Sequence, residues 1–139
     1  MLTDHLTGKA YPCDVTNAQA QKDLTNQIVK EFNGRLDIFV ANAGIPWTQG
    51  PMLEGELSHY HKVMAVDVDG VWYGAIAAGE IFRRQGEKKT GLDGKPLENY
   101  TYGSFVATAS MSGHIQNFPQ LQVAYNAAKA SVLHMCKSI

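Results

Sequence analysis

Apolar residues along this chain follow two alternating rhythms. Ala20, Leu24, Ile28 and Phe32 recur every four residues, while Gln21, Lys22, Asn26 and Lys30 face away, the period of an amphipathic helix lying on a sheet. Thr16-Asn17-Ala18-Gln19 precedes that helix in the form of a capping box, with the Thr16 hydroxyl at the cap. Gly34 supplies its stop. The runs 36–41 and 104–109 are short, continuous and apolar, as in strands buried on both faces of a parallel sheet. Between them, Leu57, Tyr60, Met64, Val68, Val71 and Ala75 predict one long helix, apolar on more than one side. A last helix is expected from Ala124 to Lys137.

The ends of this pattern are weaker. Lys9 to Cys13 looks like a strand, but Pro12 has no amide proton and confines it to a strand's end or edge. Met1 to Gly8 has no period. Residues 85–103 are polar and rich in Gly and Lys, which predicts an exposed loop inserted between helix and strand. The alternation of strand and helix is the signature of an α/β, doubly wound parallel sheet in a single domain over 1–139. Right-handed crossovers then set the ends of the second and third strands side by side.

Composition changes this picture little. The chain has 139 residues, 45% hydrophobic and 18% charged, and a net charge of −1, which suits one ordinary core and suggests neither nucleic acid nor a membrane surface as partner. No apolar span approaches 18 residues, so a cytoplasmic location is the default expectation. Cys13 and Cys136 lack metal-type spacing and are expected as free, buried thiols.

Chemistry enters at Tyr125 and Lys129. Four residues apart on a helix, phenol and ammonium share one face, about 6 Å apart along the axis, and a fixed cation beside a phenol favours the phenolate. Alone, the pair is as readily ordinary helix surface. Its neighbours add weight: Asn42-Ala43-Gly44 follows one strand, and Ser110 and Ser112 follow the next. In an open α/β sheet, ligands bind at these carboxyl ends. His59 and His61, two apart, point to different sides of a helix and make poor joint metal ligands, so no metal site is expected.

With Asn42-Ala43-Gly44, Ser110-Met111-Ser112-Gly113 and Tyr125-Asn126-Ala127-Ala128-Lys129 in this order, the chain resembles the short-chain dehydrogenase/reductase family over nearly its whole length. The stretch from Ala109 to Ile115, with Asn117-Phe118-Pro119-Gln120 after it, is similar to the fungal polyol and ketose reductases of that family. The resemblance implies a Rossmann-like sheet, a hydride exchanged between a small polyol or ketose substrate and NADP(H) in preference to NAD(H), and a homo-oligomer. It implies Tyr125 as acid/base and Lys129 as partner of the phenol and of the nicotinamide ribose. A serine would hydrogen-bond the reacting oxygen: spacing to the tyrosine points to Ser112, and the strand end points to Ser110, which is preferred. Asn42, Ala43 and Gly44 would line the adenosine ribose, and Asp14 with Val15 would contact the adenine. Asp14 also reads as a residue preceding a helix cap. His114 and Trp47 are candidates for the polyol pocket, and Trp72 and Tyr73 for core or subunit interface.

Two departures accompany the resemblance. The family's glycine-rich TGxxxGxG turn, whose amides hold a pyrophosphate, has no counterpart in this sequence. Asp67 stands where the family often has an Asn in a proton relay, and an ionised carboxylate cannot donate. The expectation is therefore a truncated sheet, lacking the first βαβ unit and the last strands. The alternative to an enzyme is a catalytically inactive module that binds a partner through its helices.

Overall fold

The computed structural model describes residues 8–139; Met1 to Thr7, which carried most of the periodless start, lie outside the described residues. Helix α1 spans Ala18–Glu31, strand β1 Ile38–Ala41, helix α2 Leu57–Met64, helix α3 Gly70–Lys88, strand β2 Ser104–Ala107 and helix α4 Val123–Met135. The two strands pair in parallel, Ile38 opposite Ser104 and Ala41 opposite Ala107, so the expected side-by-side strand ends are present. Phe39 and Phe105 stack on one face, ring centroids 5.8 Å apart. Helix α3 packs against that face, with Gly74 close to the Phe39 ring. Helix α1 packs on α3, and α4 on α2.

Several sequence expectations change. Lys9 to Cys13 forms no strand; no described strand lies beside it, and Pro12 offers no donor for a ladder. The cap of α1 is Asn17, whose side chain accepts from the Ala20 amide, while the Thr16 hydroxyl donates to Asp14 instead. The buried line of α1 is Gln21, Thr25 and Val29, one position along from the predicted stripe. Gln21 is inside because its amide donates to the carbonyls of Val15 and Gly70. Gly34 does stop the helix, with φ of +71° and its amide donating to the Val29 carbonyl at 2.7 Å.

Neither strand is buried on both faces. Ile38 and Val40 are 62% and 57% exposed, because the described helices contact the sheet through α3, on the side of the two phenylalanines. The single long helix expected through Leu57 and Ala75 is interrupted by a π-helical turn at Ala65–Asp69, which re-aims the side chains after Met64. Helix α3 runs on to Lys88, so the loop starts at Lys89, not at 85. Gln85 is fully buried and clips the backbone of Leu36, its oxygen accepting from the amide and its nitrogen donating to the carbonyl, both at 2.8 Å. The loop itself is tied down by buried Gly91 and Tyr100. Both cysteines are free and exposed, not buried.

Candidate active site

A cavity of about 420 Å³ opens where β1 and β2 end, lined by Asn42, Gly44, Ile45, Ser110, Ser112, Asn117, Gln120, Gln122, Tyr125 and Lys129 among others. The fold brings these together in layers. The parallel pairing puts Asn42 beside Thr108, whose hydroxyl donates to the Asn42 side-chain oxygen at 2.9 Å. After β2 the chain turns through a short 3₁₀ segment, Met111–Gly113, capped by Ser110, whose hydroxyl oxygen accepts from the Ser112 amide at 3.1 Å. Gly113 seats this segment against the backbone of α4 at Lys129 and Ala130, and so brings both serines to the helix that carries Tyr125 and Lys129.

On α4 the two key side chains share a face, with the Lys129 ammonium 5.4 Å from the Tyr125 ring centroid. Tyr125 packs against the cluster of Trp47, Val63, Ala124 and Ala128 and lines the cavity, and among the described residues its hydroxyl makes no hydrogen bond. Lys129 is only 3% exposed. Its ammonium donates to the Thr108 carbonyl at 3.1 Å and lies 3.0 Å from Asp67 Oδ1. Asp67 is 0% exposed, and its other oxygen accepts the Ile45 amide at 2.8 Å. The contact between ammonium and Oδ1 is ionic, without hydrogen-bond alignment.

Of the residues singled out from sequence, Ser110, Ser112, Tyr125, Lys129, Asn42 and Gly44 thus meet at one cavity. Ala43 and Val15 border a second, smaller cavity of about 180 Å³ that shares Asn42 with the first and is walled by Phe39, Val40 and Val71. Asp14 lines neither. Its Oδ1 accepts from the Thr16 amide and hydroxyl at 2.9 and 2.8 Å, which hold its carboxyl below the usual carboxylate range and start the turn into α1. His114 is exposed and lies outside the cavity lining. Trp47 is buried in the core, its indole N–H donating to the Gly50 carbonyl at 2.8 Å. His59 lies against Trp47, 5.2 Å between ring centroids, and Trp72 is exposed, not core.

Sequence reading missed the carboxamides. Asn117, Gln120 and Gln122 add hydrogen-bonding groups to the cavity wall, and the side-chain oxygen of Asn117 is buried without a protein partner. Their density between residues 116 and 122 was the available signal.

A family profile described as Enoyl-(Acyl carrier protein) reductase matches residues 1–139, the entire chain. The chain belongs to the short-chain dehydrogenase/reductase family. Among its relatives in that family is the L-xylulose reductase of Hypocrea jecorina, 56% identical over 131 residues, which cover 94% of this chain and 46% of the relative. A probable NADP-dependent mannitol dehydrogenase of Yarrowia lipolytica is 48% identical, with 94% and 42% covered. The crystal structure of the NADPH-dependent 3-quinuclidinone reductase of Rhodotorula rubra superposes with a TM-score of 0.76 at 35% identity, covering 92% of this chain and 42% of that one. The chain therefore spans less than half the length of these short-chain dehydrogenase/reductase relatives, and its α/β core with a parallel sheet is the family's Rossmann-like fold in part.

Proposed function

We propose that this chain carries the acid/base half of an oxidoreductase that interconverts a polyol or secondary alcohol and a ketose or ketone, with NADP(H) in preference to NAD(H). The observation that carries the proposal is the convergence of a free phenol, a buried ammonium and two strand-end serines on one cavity. The cofactor assignment rests on the NADP and NADPH in the names of the Yarrowia and Rhodotorula relatives.

In this reading Tyr125 gives its proton to the carbonyl oxygen during reduction and takes it from the alcohol during oxidation. Ser110 donates a hydrogen bond to the same oxygen and so stabilises the charge developing there. Its hydroxyl proton is available, because the Ser112 amide uses only the oxygen. A bound nicotinamide supplies or accepts the hydride. The residues fit such a group in part: an ammonium has three protons, Lys129 donates one to the Thr108 carbonyl and lies against Asp67 at the edge of the cavity, and a remaining proton would hold the ribose hydroxyls. Asn42, Ala43 and Gly44, with Val15 in the adjoining apolar cavity, would border the adenosine side. The carboxamides of Asn117, Gln120 and Gln122 suit a substrate with several hydroxyls.

The decisive experiment is a panel of polyols and ketoses with NADPH and NADH on the full-length protein containing these residues, alongside Tyr125→Phe. Turnover should require NADP(H), and the variant should lose about 10²–10⁴-fold in rate with folding intact. Undiminished turnover in Tyr125→Phe would refute the assignment. A second reading, an inactive module that associates through its helices, is favoured by Trp72 and Ile76, 54% and 47% exposed on α3. For that reading, sedimentation of the 139-residue chain should give dimers or tetramers that Trp72→Glu dissociates, and a monomer would sink it. The same surface is the proposed homo-oligomer contact of the enzyme.

A further inference from the structure

Asp67 and Lys129 are the two charged side chains most deeply buried among the described residues. Taking either charge out of water alone is prohibitive, and their mutual attraction offsets it only when further groups satisfy the remaining atoms. Here they do. Asp67 Oδ2 is anchored on the Ile45 amide, and the ammonium has the Thr108 carbonyl. The π-helical turn delivers Asp67 to this point. The pair therefore joins four pieces of the site: the loop after β1, the π-helical turn, the end of β2, and α4.

We propose that Asp67 is the positioning residue for Lys129, and that residue 44 is glycine because this ion pair occupies the space a side chain would need. A Cβ built on Gly44 would come 2.7 Å from Asp67 Oδ1 and 3.1 Å from Lys129 Nζ. Neither atom can swing away without abandoning its partner. The carboxylate thus holds the ammonium at a fixed depth beside the cavity that Lys129 lines. The groups facing Lys129 are Asp67 from the π-helical turn, Tyr125 from its own helix and the Thr108 carbonyl just after β2. Asp67 stands where the family's relay would place a neutral amide, and the geometry gives it a different task. The inference rests on the reading above for the purpose of the ammonium, though not for its position.

The test needs neither cofactor nor substrate. In the 139-residue chain, Lys129 should acylate with acetic anhydride more slowly than Lys62 and Lys137, scored by peptide mass spectrometry. It should also give an ammonium cross-peak in ¹H–¹⁵N spectra, the signature of a held, slowly exchanging group. D67N and G44A should each raise Lys129 acylation on the order of tenfold or more relative to the surface lysines and erase the cross-peak, whereas Gly79→Ala, on the exposed side of α3, should change neither. Unchanged labelling in D67N overturns the proposal. If D67N melts below the labelling temperature, D67N/K129M decides: removing both charges should restore part of the lost melting temperature, and additive losses would refute the pairing. An ordered Lys129 in a full-length protein that turns over no polyol with NADPH would sink the oxidoreductase reading and leave this one standing.

Discussion

Gly113→Ala asks how tightly the serine turn is seated on α4. A Cβ at residue 113 would lie 2.8 Å from the Ala130 nitrogen, the Lys129 carbonyl carbon and Leu133 Cδ1. Two of these atoms are backbone of a helix and cannot rotate aside. Ordinary contact starts near 3.4 Å, so the turn and the helix must part by about 0.6 Å, the difference between the two distances. Forcing a methyl into such a contact costs about 2 kcal/mol, within the usual range for overpacking. With about 2.1 cal/mol/K per residue of unfolding entropy over 139 residues, the melting temperature should fall by about 7 °C. Gly79→Ala is the control: the same methyl meets nothing within 4 Å, in a helix interior where Ala is favoured over Gly. It should gain about 0.5–1 kcal/mol and raise the melting temperature by about 2–3 °C. Circular-dichroism melts of the two variants thus predict opposite signs for one chemical change. Equal shifts would refute the packing between the serine turn and α4.

Gln85→Leu leaves the Leu36 amide and carbonyl without partners, at a cost of about 2–4 kcal/mol, readable as a lower urea midpoint at constant slope; a loss below about 1 kcal/mol would contradict the clip. Glu31 accepts hydrogen bonds from Lys9, Tyr11 and Gln27, and these lower its carboxyl from 4.5 to about 2. Because the folded value lies below the unfolded one, the stability it contributes is present above about 4.5 and is lost as pH falls through about 2. Carboxyl ¹³C titration should place the Glu31 midpoint near the lower value, and Tyr11→Phe should move it up; a midpoint at 4.5 in the native chain would be incompatible with this cluster.

The apolar and polar pattern of the chain alone located α1, α4 and both strands to within a few residues, because each helix and each short apolar run is marked in its own stretch of sequence. It also set Tyr125 and Lys129 on one helix face and Ser110 at a strand's end, since spacing along one element is a local property. Which atoms those groups meet is not local. Gln21 and Gln85 read as solvated, yet they are buried because backbone groups of Gly70 and Leu36, each 49 positions away, await them. The exposure of Ile38 and Val40 depends on which layers cover the sheet, which no strand encodes by itself. Asp67 read as a faulty relay residue, because its partner lies 62 positions along the chain and only the tertiary structure sets the two 3.0 Å apart. The sequence by itself determined the elements and the chemical types at their ends. Packing decided which of those groups were taken out of water together, and a buried charge can settle only where its counter-charge and hydrogen-bonding partners have already been gathered.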